Sequence, residues 1–143
     1  MKKIIIFIFV IIATLSTALY IYLNYLNNYN IAQKENIKFE IYKNEDIEGS
    51  QLATLINKAV DLNMRNEVTK DKKGKYIDNE ENSVNIDIKF IDSDDVFNIE
   101  KIYNSGIATF LSYYGDTMFK CNDVQYHEKT GKVKYMSFEQ ITQ

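Results

Sequence analysis

The only cysteine and the only histidine of the 143-residue chain are Cys121 and His127. A nucleophilic thiol or an imidazole base would have to come from this pair. They lie an even number of positions apart in a predicted strand, which puts them on one face, but at about 3.3 Å per residue their backbones are roughly 20 Å apart. That is too far for a Cys-His or Ser-His-Asp centre. We interpret Cys121 as a small buried side chain and His127 as a residue at the rim of a hairpin.

Metal and cofactor sites are not expected. A structural zinc site needs about four Cys or His ligands, and the chain has two such residues. Asp92–Asp95 resembles the beginning of a calcium loop, but the glycine and the late glutamate of that loop are missing, so helix capping explains it better. Asn79–Asn82 fits a solvated loop better than a cation site. No glycine-rich phosphate motif occurs, whereas the twenty acidic residues leave many carboxylate pairs open.

Three aromatic residues form the candidate interaction patch: Phe110, Tyr113 and Tyr114, in the segment TFLSYYG. On an exposed helix face they would offer a surface for a partner. Phe110 and Tyr114 are one helical turn apart, however, and that spacing is more often found on a face that packs into the core. Both interpretations remain open at this stage.

Charge and cysteine content exclude several classes of protein. All twenty acidic residues lie after position 34 and two of the seventeen basic residues are Lys2 and Lys3, so the rest of the chain carries fifteen basic against twenty acidic residues, a net charge of −5. Nucleic acid needs clustered Lys and Arg and is not expected as a partner. A single cysteine also excludes an intrachain disulfide.

An apolar stretch of twenty residues without a charge or a proline, Ile4–Leu23, follows Met1-Lys2-Lys3. As a helix it would be roughly 30 Å long, the thickness of the hydrocarbon core of a bilayer. A cleaved secretory signal with a site at Ser16-Thr17-Ala18 is the alternative. Because apolar residues resume at Leu19, we favour an uncleaved transmembrane helix over residues 4–23 that binds the lipid bilayer.

The orientation of this helix follows from the flanking charges. Lys2 and Lys3 keep residues 1–3 in the cytoplasm under the positive-inside rule, so the rest of the chain is expected outside the cell membrane. Tyrosines mark the outer membrane interface, where amphipathic rings rest at headgroup depth. These are Tyr20, Tyr22, Tyr25 and Tyr29.

Residues 24–36 are interpreted as a juxtamembrane stalk that frays into a linker, and residues 37–143 as one extracytoplasmic α+β domain with an antiparallel sheet and two to three helices. The alternation at 37–41 suits a short strand or a stalk packed on the domain. The expected elements are a helix from Gly49-Ser50 to Asn63, a hairpin over Glu67–Asn79, a strand over Ser83–Ile91, a helix Asp94–Asn104 capped by Ser93, a helical TFLSYYG segment, and a hairpin of Met118–Glu128 and Lys132–Glu139.

The order of these parts resembles uncharacterised single-span proteins of low-GC Gram-positive bacteria. The resemblance lies in Lys2-Lys3, the Ile-rich span, the run Ile47–Leu52 at a helix start and a final hairpin ending in Phe138-Glu139-Gln140. It implies a membrane-anchored surface domain and no activity. The layout is also similar to a type IV pilin. A leader ending in Gly before a Phe-led span with an early Glu is missing, which argues against assembly as a processed pilin.

The leading hypothesis is therefore a non-enzymatic interaction or scaffold domain that contacts a protein of the cell envelope. A small envelope hydrolase or ligand-binding domain that uses acidic residues is the second hypothesis, and it requires a pocket with two buried, converging carboxylates. A pilin-like assembly subunit is the third. It requires a helix that runs unbroken from the membrane into the domain, without a break near Asn27–Asn36.

Overall fold

A computed structural model describes residues 2–93 and 95–142 and shows an α+β chain, as expected: a long apolar N-terminal helix followed by a small domain of helices on a sheet. In chain order the elements are α1 (Lys2–Glu40), β1 (Asp46–Glu48), α2 (Gly49–Arg65), β2 (Asn85–Lys89), β3 (Val96–Asn98), α3 (Ile99–Ser105), α4 (Ile107–Tyr114), β4 (Met118–Tyr126) and β5 (Val133–Gln140).

Helix α1 is unbroken over 39 residues, so the predicted fraying of residues 24–36 is wrong. Of the two alternatives for residues 37–41, the strand is wrong and the stalk packed on the domain is confirmed. No glycine or proline occurs before Gly49, and asparagine lowers helix propensity without ending a helix. The apolar half is exposed throughout and is long and apolar enough to cross a membrane. The far end packs on the domain instead, through Ala32, Asn36 and Phe39 at helical spacing.

The five-stranded sheet has the order β1-β4-β5-β2-β3 and is mixed, not antiparallel as predicted. The C-terminal hairpin of β4 and β5 is antiparallel as expected, with Gly131 at φ +66° in its turn. Strand β2, however, runs parallel to β5, with Ile86 opposite Met136. The chain between β2 and β5 contains β3, α3, α4 and β4, which is long enough for the crossover that a parallel pair requires.

Helix α2 covers the sheet with a fully buried face, as its apolar periodicity predicts. Its start differs from the prediction because Glu48, not Ser50, is the N-cap residue. The Glu48 N–H donates to Gln51 Oε1 at 3.0 Å, and the Ser50 hydroxyl donates to Glu48 Oε2 at 3.2 Å. The core beneath combines α2 with the inward side chains of β2, β4 and β5: Leu52, Leu55, Ile56, Ala59, Ile86, Ile88, Phe119, Met136 and Phe138.

The second predicted helix starts later than expected, and Ser93 does not cap it. Ser93 Oγ accepts from the Asp95 N–H at 3.1 Å, while Val96–Asn98 pairs with β2 as an edge strand. Helix α3 begins at Ile99, where Asn98 Oδ1 accepts from the Lys101 N–H at 2.9 Å. The predicted first residue, Asp94, lies outside the described residues.

Of the remaining predicted elements, one strand and one helix are confirmed, and one predicted hairpin is only a turn. The strand over Ser83–Ile91 and the helix at TFLSYYG are confirmed as β2 and α4. The predicted hairpin over Glu67–Asn79 is a turn with a single bridge between Lys70 and Tyr76, and Gly74 has the expected positive φ of +81°. The turn is attached to α3, because the buried Glu100 accepts from the Tyr76 N–H at 2.6 Å.

A buried asparagine amide joins the end of α2 to the start of β2. Asn63 is fully buried, and its Nδ2 donates to the Val84 carbonyl at 2.7 Å while its Oδ1 accepts from the Val84 N–H at 2.7 Å. The side chain thereby satisfies both main-chain groups of a residue that lies just outside the strand ladder.

We predict that Asn63→Ala lowers the free energy of unfolding by about 3 kcal/mol, because it leaves two buried main-chain groups without partners. Asn57→Ala, at a half-buried position of the same helix, is the matched control and should change it by less than about 1 kcal/mol. Urea unfolding of the full-length protein in lipid nanodiscs measures both. Equal effects of the two substitutions would contradict the role of the Asn63 amide.

A second asparagine amide fixes α1 to the domain. Buried Asn36 donates from Nδ2 to the Gly131 carbonyl at 2.8 Å and accepts at Oδ1 from the Val133 N–H at 2.8 Å. The Tyr126 hydroxyl donates to Glu40 Oε1 at 2.8 Å. Glu35 pairs with Lys132 at 2.8 Å. The C-terminal end of α1 is thus bound to the β4–β5 hairpin by polar contacts around the buried Phe39 ring.

The Tyr126 contact predicts a loss of stability at high pH. Burial and the Glu40 carboxylate raise the pKa of Tyr126 from 10 to about 12. The neutral phenol therefore adds stability that is complete below pH 10 and is lost as the pH rises through about 12. The difference in unfolding free energy between the native protein and Tyr126→Phe should shrink across this interval. A difference that stays constant would contradict the prediction. Tyr135, whose pKa is also raised to about 12, contributes equally to both proteins.

Candidate functional site

A pocket of about 220 Å³ with a largely aromatic lining opens where α3 and α4 meet the β2–β3 edge of the sheet. Its walls come from the residues that follow β2, from strand β3, from the two short helices and from the last residue of β5. The apolar lining consists of Phe90, Phe97, Ile102, Phe110, Tyr113 and Tyr114.

The rings of the pocket contact one another and so hold their own geometry. Phe90 meets Phe97 edge to face with centroids 5.1 Å apart and lies 4.5 Å from Tyr114, which in turn lies 5.6 Å from Phe110. Offset and edge-to-face arrangements are the favoured ones for aromatic pairs. Phe90 and Phe110 are buried and form the floor, whereas Tyr113 is 76% exposed at the mouth.

The rim of the pocket is polar and carries one charge of each sign among the described residues. Lys101 Nζ lies 3.6 Å from the centroid of the Phe97 ring, in cation–π contact. Asp92 supplies the carboxylate, and Gln140 accepts from the Ile91 N–H at 3.2 Å, which fixes its amide. The other polar lining side chains are the hydroxyls of Ser93, Ser105 and Thr109.

Two glycines position α4, the helix that carries all three residues of the candidate interaction patch. Gly106 joins α3 to α4 at φ +96°, a conformation that disfavours other residues, and its carbonyl accepts from the Phe110 N–H at 3.1 Å. Gly49 lies against the other end of α4, and its N–H donates to the Thr117 carbonyl at 2.8 Å. A Cβ at Gly49 would lie 1.8 Å from the Tyr114 carbonyl oxygen.

The structure brings the three residues of the candidate interaction patch to one pocket, in different environments. Phe110 is a core residue, Tyr114 is half-buried and Tyr113 is exposed. Sequence reasoning missed Phe97 and Lys101, which it placed in a helix. They come from separate segments, and no spacing in the sequence could have joined them to the patch. The membrane-interface candidates Tyr20, Tyr22, Tyr25 and Tyr29 are all exposed on α1, with the last two rings 6.5 Å apart.

The two residues suited to nucleophilic chemistry are both buried. Burial raises the pKa of the Cys121 thiol, which disfavours the thiolate, and its Sγ lies 3.7 Å from the Asp123 carbonyl. His127 is 2% exposed, so its predicted place at a rim is wrong. Its Nε2 lies 2.7 Å from the Ser83 carbonyl and its Nδ1 lies 3.7 Å from Asp78 Oδ1. The imidazole supports the loop before β2.

The acidic loop at Asn79–Asn82 is organised by its own hydrogen bonds. Asn79 Oδ1 accepts from the N–H groups of Glu81, Asn82 and Ser83 at 3.2, 2.9 and 3.0 Å. Within residues 2–93 and 95–142, no group of three or more His, Cys, Asp or Glu side chains is arranged to hold a metal ion.

Carboxylates gather at a second pocket, of about 470 Å³, which Asp78, Glu80 and Glu128 line. All three are exposed, and two are paired with lysines at 3.0 Å: Asp78 with Lys134, and Glu80 with Lys129. Burial acts to raise the pKa of Asp78, but the Glu80 N–H and the Lys134 ammonium outweigh it and lower the pKa. A lowered pKa does not suit Asp78 to act as a general acid, and Glu80 is held in an ion pair with Lys129.

Fold and pocket together define a small α+β domain with an aromatic pocket, carried on a long apolar helix. No protein family model, no curated protein and no solved structure matches the chain.

The close approach of α2 and α4 predicts that Gly49→Ala disturbs the pocket. The new methyl group must displace the Tyr114 carbonyl, so we expect a loss of about 2 kcal/mol in unfolding free energy, as for overpacked cores, and a change in the near-UV circular dichroism of the tyrosines. Ser50→Ala, at the exposed next position, is the control and should leave the spectrum unchanged. An unaltered spectrum for Gly49→Ala would refute the contact.

Proposed function

We propose that this chain is a membrane-anchored interaction protein that holds its domain outside the cell membrane on a stiff helical stalk and binds a protein partner at the aromatic pocket. The observation that carries the proposal is the continuity of α1. One helix runs from an exposed apolar half, suited to lipid, to a polar end that is fixed in the domain by Asn36 and Phe39.

A continuous stalk has a different use from a flexible tether. If residues 4–23 span the bilayer, residues 24–36 raise the domain by about 20 Å at 1.5 Å per residue. Because Asn36 and Glu40 bind the hairpin, the height and the orientation of the pocket are both set relative to the membrane. A fixed presentation suits recognition of a partner that is itself held in the envelope, since less orientational freedom is lost on binding.

The charge pattern supports an N-terminus in the cytoplasm and an extracytoplasmic domain. Lys2 and Lys3 precede the apolar half, and the four tyrosines lie on both sides of its end at Leu23, as an aromatic belt would. The resemblance to single-span proteins of low-GC Gram-positive bacteria suggests a cell surface of that kind.

The pockets support binding more than hydrolysis. Asp92 is the one described carboxylate in the lining of the aromatic pocket, whereas the acid-lined pocket presents exposed carboxylates paired with lysines. A hydrolase of the acid–base type would need two carboxylates held in different environments. We therefore propose a non-enzymatic role.

A pilin-like assembly subunit is the second candidate, and the same unbroken helix favours it. Several copies of the apolar half of α1 could pack side by side, with the domains outside the bundle. The exposed apolar side chains between Ile4 and Leu23 would then contact other copies as well as lipid.

Site-specific photo-crosslinking in intact cells tests both candidates. A photoreactive phenylalanine analogue at Tyr113 should give an adduct of defined mass with another envelope protein, and the same analogue at the exposed Lys72, which does not line the pocket, should not. Protease added outside the cells should remove the domain. Adducts at Val10 with a second copy of the chain, and none at Tyr113, would favour assembly. A domain protected until lysis would contradict the topology.

A further inference from the structure

The aromatic pocket has the capacity of a single ring. Its volume of about 220 Å³ is below the roughly 300 to 1,000 Å³ of pockets that hold drug-sized ligands. The floor offers the faces and edges of Phe90, Phe110 and Tyr114, which favour an aromatic group in an offset or edge-on arrangement. Size and lining together therefore favour one aromatic side chain as the occupant.

The charge at the pocket indicates what accompanies the ring. Lys101 is the one cation in the lining among the described residues, and its ammonium rests on the Phe97 ring at 3.6 Å. No ion pair of Lys101 occurs in the part of the chain that the structure describes, whereas Lys89, Lys129, Lys132 and Lys134 each have a carboxylate partner. An ammonium beside an apolar cavity is complementary to a ligand that has a carboxylate next to its apolar part.

We infer that the occupant is the C-terminal aromatic residue of a partner protein, with its ring on the aromatic floor and its terminal carboxylate at Lys101. This inference rests on the proposed function and names the partner's chemistry. In a C-terminal Phe or Tyr the carboxylate is separated from the ring by only Cβ and Cα, and the pocket shows the same closeness, because Lys101 contacts a wall ring directly. Capture of a C-terminal carboxylate is an established mode of peptide recognition.

Asp92 makes the inference testable in both directions. Its carboxylate lines the same pocket and opposes an anionic ligand. Removal of its charge by Asp92→Asn should therefore strengthen binding, whereas Lys101→Gln should weaken it. Both side chains are exposed, so neither substitution threatens the fold. A cationic ligand would give the opposite pair of effects.

The experiment is an NMR titration of the full-length protein in lipid nanodiscs, followed at the backbone amides of Lys101, Gly106 and Thr109. The probes are N-acetylphenylalanine, its neutral amide and phenylethylammonium, which share one ring and differ in charge. We expect the acid to bind about fourfold more tightly than the amide, the size of an exposed ion pair, and the cation to bind most weakly. The preference for the acid should disappear in Lys101→Gln and grow in Asp92→Asn.

A hexapeptide ending in Phe distinguishes a protein C-terminus from a free small molecule. The peptide should bind at least as tightly as N-acetylphenylalanine and lose the preference when its terminus is amidated. Exclusion of the peptide, equal affinity for acid and amide, tightest binding of the cation, or no shift with any probe would each overturn the inference. If a partner still crosslinks at Tyr113 in the Lys101→Gln protein, the proposed function is supported and the inferred carboxylate contact is contradicted.

Discussion

The contact between the Asn36 amide and the β4–β5 hairpin is the constraint on which the rest of the molecule depends. A helix that leaves the domain as a free arm would give the pocket no fixed orientation. Asn36 binds one carbonyl and one N–H of the hairpin turn, and Phe39 buries its ring beside them. Because the hydrogen bonds of a buried amide are directional and a buried ring must fit its surroundings, the two together select one docking of α1.

A buried asparagine amide also binds main-chain groups at Asn63, so each of the two asparagines fixes one helix to the sheet. Asn63 binds both main-chain groups of Val84 and so aligns α2 with the strand that pairs in parallel to β5. Helix packing positions the pocket: α2 approaches α4 at Gly49, and α4 holds Tyr114 against both Phe90 and Phe110. The pocket is thus a product of core packing at the edge of the sheet.

Sequence reasoning succeeded where a local pattern and the final environment agree. The apolar period of α2, the alternation of β2 and the glycine of the last hairpin each appear as predicted. It failed where two local patterns compete. At Ile37–Ile41 an alternation suggested a strand, although no residue ends the helix before it. At Ser93 the helix cap was predicted five residues too early: Asn98 caps α3, because Val96 pairs with Lys89 as a strand and that pairing is not a local pattern.

The sequence by itself determined a single apolar helix, one small acidic α+β domain and the three residues of the candidate interaction patch. These features depend on composition and on periods of a few residues. Only the tertiary structure decided that α1 continues from its apolar half into the domain and that β2 runs parallel to β5. It also decided that Phe97 and Lys101 line the same cavity as Tyr113. Those features depend on contacts between residues far apart in the chain. Such contacts are selected by the packing of the whole core, and no short segment encodes them.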